Sequence, residues 1–481
     1  MKKLIIIIVA VFTALWIGSA AEAAIIVGRI SHVEGEIYRY MDVDESWVAT
    51  QLQSPAGTED VLATGPGSRA EIMFPNGLLL RLDENTEIEI LELDDDLGVF
   101  ILSSGMARFY NRNGSGTLAI ETVRGTAKVA PGSVMDMRAD GSSVVVSAVT
   151  GETTFQSVQN GEDRLEVITG STSIEFREES IAAGTGPISW NWDKWCAARE
   201  GVWAQNRLVR SEYLPESMQE YASEIEPYGS WSRVYYRGYY YWAWRPSYVA
   251  VGWSPYTTGY WYDWHGAPVW MDQNPWGWVT HHHGHWIDMN GAWMWTPYVH
   301  VSHDPGVTVV GFNITFGKTY RSYWHPGRVR WISHNDYTGW FPLAPWETYY
   351  GYRRWGPGTV LVNGGPGFSL SINLSQHRYV NHAVIIPNRH MYTKGPVVVN
   401  NYNNVRITNI NKTVIVKDYK PLITAERERA RTHGAAKPGG GKNAARNAVG
   451  VQPERQETRA GEIARQDRPE KREDRFMRAH S

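Results

Sequence analysis

The sequence predicts a mainly β, multidomain protein, and three observations carry that expectation. At 481 residues the chain exceeds what one compact core usually holds. It has 23 Trp and 26 Tyr against 11 Phe, with 46 Gly and 24 Pro, which favour short strands and tight turns. The third observation is a repeat. GYWYDWHGAPVW, from Gly259 to Trp270, returns 25 residues later as GHWIDMNGAWMW, from Gly284 to Trp295, with six of twelve positions identical. A formal net charge of −3 gives no reason to expect nucleic acid or an acidic membrane face as partner. The one cysteine, Cys196, excludes an intramolecular disulfide.

At the N-terminus, Lys2 and Lys3 precede an apolar run from Leu4 to Gly18, followed by Ala21-Glu22-Ala23. That is the pattern of a secretory signal peptide (1–23) cut after Ala23, leaving a periplasmic or secreted protein with no membrane span. An uncleaved anchor is the alternative; the run is short for one, and Glu22 interrupts its continuation. No lipid-accepting cysteine stands at the cut.

Residues 24–188 read as strands. AEIMFPNGLLLRL holds Asn76-Gly77 between two apolar stretches, a strong hairpin signal, and EIEILEL alternates charged and apolar residues. A further strand, turn and strand surround Thr150-Gly151. Many short strands at this spacing suggest a sandwich, a jelly roll or a β-helix-like stack. The segments VGRISHVEGEIYRY, SRAEIMFPNGLLLRLDENTEIEIL and ETVRGTAKVAPGSVMDM, the last with Gly125-Thr126 inside a strand, resemble the FecR-type periplasmic domain. The resemblance covers about 160 residues and implies a FecR-like β-sandwich or β-stack. FecR itself relays a surface signal to a cytoplasmic sigma factor through a membrane span and a cytoplasmic N-terminal domain. Only Met1 to Lys3 precede the hydrophobic run here, so that relay is not expected to carry over.

Residues 189–226 read as a short helical connector, with Trp195, Ala198, Val202 and Gln205 at helical spacing and Pro215 opening a second helix. Residues 227–350 form a Trp-rich β-hairpin repeat domain. Its segments YGSW, VGWSPY and GWFPLAPWETYY, with NWDKWCAARE before them, resemble the uncharacterised Trp-rich module that follows FecR-type domains in exported bacterial proteins. Residues 351–424 are β-rich and Asn-rich. Residues 425–481 are charged, without apolar periodicity, and are expected to be a disordered tail. That tail reads as a solvated segment, or as a loose electrostatic contact to anionic envelope polymers.

The repeat fixes a register if His265-Gly266 and Asn290-Gly291 are two-residue turns. Counting outward, Trp261 faces Trp270 and Trp286 faces Trp295, both at non-hydrogen-bonded sites, where side chains approach most closely. With Arg237-Gly238 as a turn, Trp231 faces Trp244 on a longer arm, again at a non-hydrogen-bonded site. These six tryptophans are therefore expected to be structural pairs, with Trp253 and Trp278 sealing one unit to the next. So many indoles cannot all be exposed on a monomer, so most are core.

A minority of rings is left for function. Tyr260, Tyr262 and Trp264 share one hairpin face, with Tyr236, Tyr239, Tyr240 and Tyr241 upstream and Asp263 and Asp288 beside the turns. Flat, polar-edged rings in a row suit stacking on sugars, so peptidoglycan or another envelope polysaccharide is the expected ligand, with envelope proteins as further partners. In HHHGH, His281, His283 and His285 would share one face of a strand and are weak zinc or nickel candidates; surface histidines are the expected reading. Cys196 is expected to be a buried, inert thiol rather than a nucleophile. No phosphate loop, zinc-protease helix or nucleophile elbow appears. The expectation is a non-enzymatic envelope protein without cofactor, with a binding or scaffolding role. A FecR-derived signalling component is the alternative, and a metal-dependent enzyme the third.

Overall fold

The computed structural model describes residues 25–41, 46–112, 114, 116–159, 162–297, 323–334, 337–351, 359–361, 370–372, 376–388, 391 and 414–416. The expected signal peptide, the charged tail and most of 351–424 lie outside the described residues. The protein is mainly β, as its composition predicts, with few short helices. Among the described residues no helix is long and apolar enough to cross a membrane.

The N-terminal part is a two-layered stack of strands from Gly28–Glu34 to Ile181–Thr185. One long strand, Leu97–Asn111, belongs to both layers. Its first half pairs with Glu87–Leu93 and Thr117–Thr122, and its second half with Leu78–Leu82 and Val134–Ala139. Gly105, at φ +86, stands where the strand passes from one layer to the other. A Cβ there would lie 2.4 Å from Thr86, so both backbone angle and space require glycine. Between the layers lie Ile30, Ile72, Leu80, Leu82, Phe100, Phe109, Met135 and Val146, all buried. At Asn76-Gly77 the chain turns within a four-residue loop: the Gly77 amide donates to the Phe74 carbonyl at 3.1 Å, and only Gly77 is left-handed. At Gly151 the chain does not form a hairpin; it crosses from one layer to the other.

The layer formed by Arg69–Met73, Leu78–Leu82, Leu97–Asn111 and Val134–Ala139 carries one charged rung on its outer face. Glu71 stands opposite Arg81, Arg81 opposite Arg108, and Arg108 opposite Asp136. All four are buried, because the helix Trp190–Leu208 lies over them. Ser189 caps that helix by accepting from the Trp192 amide at 3.4 Å. The helix supplies a partner to each rung. Arg81 donates to the Cys196 carbonyl (2.9 Å) and Glu200 (3.1 Å), Arg108 to Asp193 (2.7 Å), Arg199 to Glu71 (3.1 Å) and the Trp192 indole to Asp136 (3.1 Å). Burial alone would raise the Glu71 carboxyl; Arg81 and Arg199 outweigh it and hold it below the ordinary carboxylate range. The helix therefore buries Trp192 and Cys196 and faces Arg199 and Trp203 inward, while Ala198, Val202 and Gln205 are exposed. Of the expected stripe, Trp195 is half-buried and stacked on Trp192, but the other three positions face away, because charged residues with buried partners occupy positions that apolar spacing would assign to solvent. Burial also pushes the Cys196 thiol up to about 12.

Beyond the short helical turns Glu216–Tyr221 and Ala222–Ile225 come the Trp hairpins. Arg237-Gly238, His265-Gly266 and Asn290-Gly291 all have positive φ at both positions, the type I′ geometry that matches strand twist. The registers follow: Trp231 opposite Trp244, Trp261 opposite Trp270, and Trp286 opposite Trp295. A fourth hairpin, Val329–His334 with Tyr337–Pro342, sets Trp331 opposite Trp340 at the count of the second and third.

The hairpins do not stack in chain order. The first and third join edge to edge through Trp244 and Trp295 into a four-stranded sheet, while the second packs against the fourth. Trp261 meets Trp270 at 5.2 Å, Trp331 at 4.5 Å and Trp340 at 5.5 Å between ring centres. In the joined sheet the rings interleave with neighbours instead: Trp231 with Trp295 (6.1 Å), and Trp276 with both Trp244 (5.4 Å) and Trp286 (6.0 Å). Trp253 edges onto Trp276 and Trp286 within the module. Trp278 faces the N-terminal layers, with the Arg29 guanidinium 5.9 Å from its ring.

Two outcomes test this packing. Trp261→Ala should lower unfolding free energy by roughly 3–5 kcal/mol in urea titrations, against about 0.5 kcal/mol or less for the exposed Tyr248→Ala. Asp136→Ala, which strands part of Arg108 under the helix, should cost about 3 kcal/mol, whereas Arg69→Ala, at a partly exposed pair, should cost under about 1 kcal/mol.

Candidate functional site: an interdomain cleft

The N-terminal layers, the long helix and the second Trp hairpin enclose a cleft of about 850 Å³. Each wall comes from a different part of the chain. The layers contribute Arg29, Ser31 and 49–53; the helix contributes Arg199, Trp203, Asn206 and Arg207; the hairpin contributes Tyr260, Tyr262 and the segment from Met271 to Pro275. Glu220, Ser223 and Glu224 complete it from the helical turns.

The walls are held by ion pairs and buried hydrogen bonds across the junction. Arg29 donates to Gln53 (3.1 Å) and bridges to Glu224, with Nη1 to Oε2 at 2.7 Å. Asp60, fully buried, pairs with Arg39 at 2.7 Å and accepts from the Trp264 indole at 3.0 Å, while His265 Nε2 lies 2.8 Å away. Arg39 also donates to the Tyr262 hydroxyl at 2.7 Å. Burial works to raise the Asp60 carboxyl, but Arg39 and His265 hold it low. The junction is thus a fixed anion–cation contact, and the two parts share a core in which Val27 packs among the tryptophans.

The cleft-lining Trp203 has the Arg112 and Arg207 guanidinium groups 3.5 and 4.5 Å from its ring centre. Desolvation pushes the Glu220 carboxyl up to about 7, against the opposing pull of Arg29. The site is therefore apolar-walled and polar-edged, with amide, hydroxyl, guanidinium and carboxyl groups converging from three sides.

The residues singled out in the sequence divide. Tyr260 and Tyr262 are half-buried on the cleft wall. Trp264, on the same hairpin face, is buried against Asp60 and does not extend an exposed row. Tyr241 is buried, Tyr236 is half-buried with its hydroxyl 3.3 Å from that of Tyr379, and the Tyr239 side chain lies outside the described residues. Asp263 and Asp288 accept from the Gly266 and Gly291 amides at 2.9 and 2.6 Å, so each caps its own turn.

The histidine cluster corrects an expectation. His281 and His282 end a short helix, Gly277–His282, His283 caps it, and His285 starts a strand, so the three candidates share no strand face. All four are buried rather than superficial. His281 stands among Trp276, Trp286, Trp270 and Tyr256, with Nδ1 3.1 Å from the Gly277 carbonyl. Among the described residues no group of three or more His, Cys, Asp or Glu side chains is placed to hold a metal ion. His281, His282 and His283 each lie against aromatic rings.

Sequence reasoning missed Arg29, Asp60, Trp203, Glu220 and Glu224. Asp60 and Trp264 are 204 positions apart, so no local spacing could have joined them. The one available signal is Asp60 itself, an acid immediately before an apolar strand start.

Residues 60–154 match the family described as FecR protein. The chain carries a FecR domain. Residues 222–347 match a family of unknown function, DUF6600, which spans the Trp hairpins and the last helical turns. No curated protein matches the chain. Two crystal structures of a candidate anti-sigma factor from Parabacteroides distasonis align at 15% identity, with TM-scores of 0.25 and 0.24. They cover 31% and 34% of this chain and 72% and 74% of theirs. The cleft lies where the FecR domain meets the module that follows it.

Burial keeps the His282 and His283 imidazoles at about 3, and those of His281, His285 and His325 also below their ordinary value. Since the unfolded chain takes up these protons near pH 6.5 and the folded one does not, stability is unaffected above that pH and falls below it. The slope should approach about 1.4 kcal/mol per pH unit for each such histidine. Urea midpoints measured from pH 8 to 4.5 should therefore begin to drop near pH 6.5; a flat profile down to pH 5 would contradict the burial.

Proposed function

We propose that this is an exported, non-enzymatic protein of the cell envelope, periplasmic or secreted, that binds an envelope glycan such as peptidoglycan in the cleft between its FecR domain and its Trp-rich module. The observation that carries the reading is the lining of that cleft. Tyr260 and Tyr262 offer flat rings, and Gln51, Gln53, Asn206 and Asn274 offer amides, as sugar faces and hydroxyls require. A cleft set at a domain boundary and walled by a rigid ion-paired junction is preorganised, which reduces the ordering cost of binding. The guanidinium and carboxyl groups that converge on it also suit the charged substituents of peptidoglycan.

The FecR match supports a second reading, a signalling component of the envelope derived from that family. Retention of the N-terminal apolar run as an anchor, with a cytoplasmic partner co-purifying, would favour it.

The glycan reading is tested by incubating the purified protein with sacculi and with soluble peptidoglycan fragments. Retention on sacculi and quenching of tryptophan fluorescence by the fragments are expected. Tyr260→Ala should weaken binding at least tenfold with the urea midpoint nearly unchanged, since its ring is only half-buried. Absence of retention on sacculi and on other envelope polysaccharides would remove the proposal.

A further inference from the structure

We propose that the first Trp hairpin and the loop after it form a docking surface for an anionic phospholipid membrane. Three independent features of the segment 229–252 converge on that partner.

The first is a sheet face that leaves the core. On the hairpin Gly229–Tyr236 with Tyr239–Pro246, the rungs Trp231–Trp244, Arg233–Trp242 and Tyr235–Tyr240 follow one another on one face. Trp244 is buried, but Trp242, Tyr235 and Tyr240 are 38%, 58% and 60% exposed. The Arg233 guanidinium lies 4.4 Å from the Tyr240 ring centre. The opposite face is covered by the small apolar cluster of Val234, Tyr236, Ala243, Ile287 and Met294. Among the described residues that cluster leaves the outward rungs uncovered.

The second is an apolar run held in solvent. Tyr248, Val249, Ala250 and Val251 are exposed in succession, with Tyr248 at 88% and Val251 fully accessible. A run of consecutive exposed apolar residues gains nothing from folding and marks a surface for interaction. The loop is pinned at both ends. The Ser247 amide donates to the Tyr228 carbonyl at 2.9 Å, and the Trp253 amide to the Ala250 carbonyl at 3.0 Å, with Trp253 packed in the Trp core. A fixed projection presents the run outward.

The third is charge. From Gly229 to Gly252 there are three exposed arginines and no acidic residue: Arg233 stands on the outward rungs, Arg245 ends the hairpin beside the apolar loop, and Arg237, in the turn, lies over the Trp346 ring. Of the acids before it in sequence, Glu226 accepts from the Trp231 indole at 2.8 Å, Glu224 pairs with Arg29, and Glu216 pairs with Arg210 at 2.6 Å. Glu212 adjoins Tyr213, whose ring packs 4.7 Å from Trp242. Amphipathic rings, a short apolar tip and arginines together are the composition of a lipid–water interface, where tyrosine and tryptophan sit at headgroup depth and arginine pairs with lipid phosphate. A polysaccharide would engage the rings and the arginines but has no apolar phase for Val249 and Val251.

The proposal does not depend on the cleft. The chain from Ala24 onward is sedimented with vesicles of phosphatidylglycerol and phosphatidylethanolamine (1:3), and with phosphatidylcholine vesicles. Binding to the anionic vesicles that weakens with salt is expected. V249S/V251S should abolish most of it at unchanged near-ultraviolet circular dichroism, and Arg233→Gln and Arg245→Gln should each lower partitioning about fivefold. Tyr260→Ala should leave it unchanged. Failure to sediment, sedimentation unaffected by V249S/V251S, or loss of sacculus rather than vesicle binding in that variant would each overturn it.

Discussion

Facing tryptophans at non-hydrogen-bonded sites, set in register by two-residue left-handed turns, are the constraint on which the second half of this protein rests. A type I′ turn fixes its hairpin's pairing, and pairing fixes which residues face which. Four hairpins place a Trp opposite a Trp, three residues beyond the innermost strand pair in three of them and five in the first, an odd count each time, so the pairs fall on equivalent rungs. The indoles then supply what small ribbons lack, a large area of apolar surface on few residues. Trp253, Trp276, Tyr256 and His281 fill the space between ribbons, so the core is continuous although the strands fall into separate sheets.

That logic explains what was legible. Turn type and strand register are local, and Asn-Gly or His-Gly flanked by alternating aromatics states both within twelve residues. The mainly β class, the registers of three hairpins and the two family segments could be read in this way. The fourth hairpin keeps the count of the second and third, but the sequence between its strands, Asn335-Asp336, has no Gly, which hid it. The order in which ribbons associate was not legible, because edge pairing of Trp244 with Trp295 depends on shape across 51 positions, not on any repeat. The helix face was misread for a related reason. Apolar spacing assumes that charge points to water, whereas Arg199 and Glu200 point to partners on the sheet.

Buried charge is the second theme, and it differs from the first in kind. Along one rung of the FecR domain, Glu71, Arg81, Arg108 and Asp136 are removed from water together, and the helix completes their hydrogen bonds. Such an arrangement adds little net stability over an apolar equivalent, since desolvation opposes the attraction. What it does provide is a single docking position, because a helix shifted by one turn would leave several charges unpaired. Asp60 does the same at the other contact, binding Arg39, Trp264 and His265 at once. The two fixed contacts set the width of the cleft between them.

The position of the cleft thereby follows from the geometry of the junction. Tyr260 and Tyr262 were visible in the sequence as rings on a ribbon, but a ribbon alone offers only a flat surface. The cleft exists because Asp60 holds the tip of that ribbon against the FecR domain while the charged rung holds Trp203 and Asn206 across from it. Loosening either contact would open the walls without altering a lining residue. The cleft is thus a property of the junction, and neither domain contains it alone. A FecR domain separated from the Trp-rich module would keep its β layers and lose the hairpin wall. That dependence supplies a physical reason for the two to be joined in one chain.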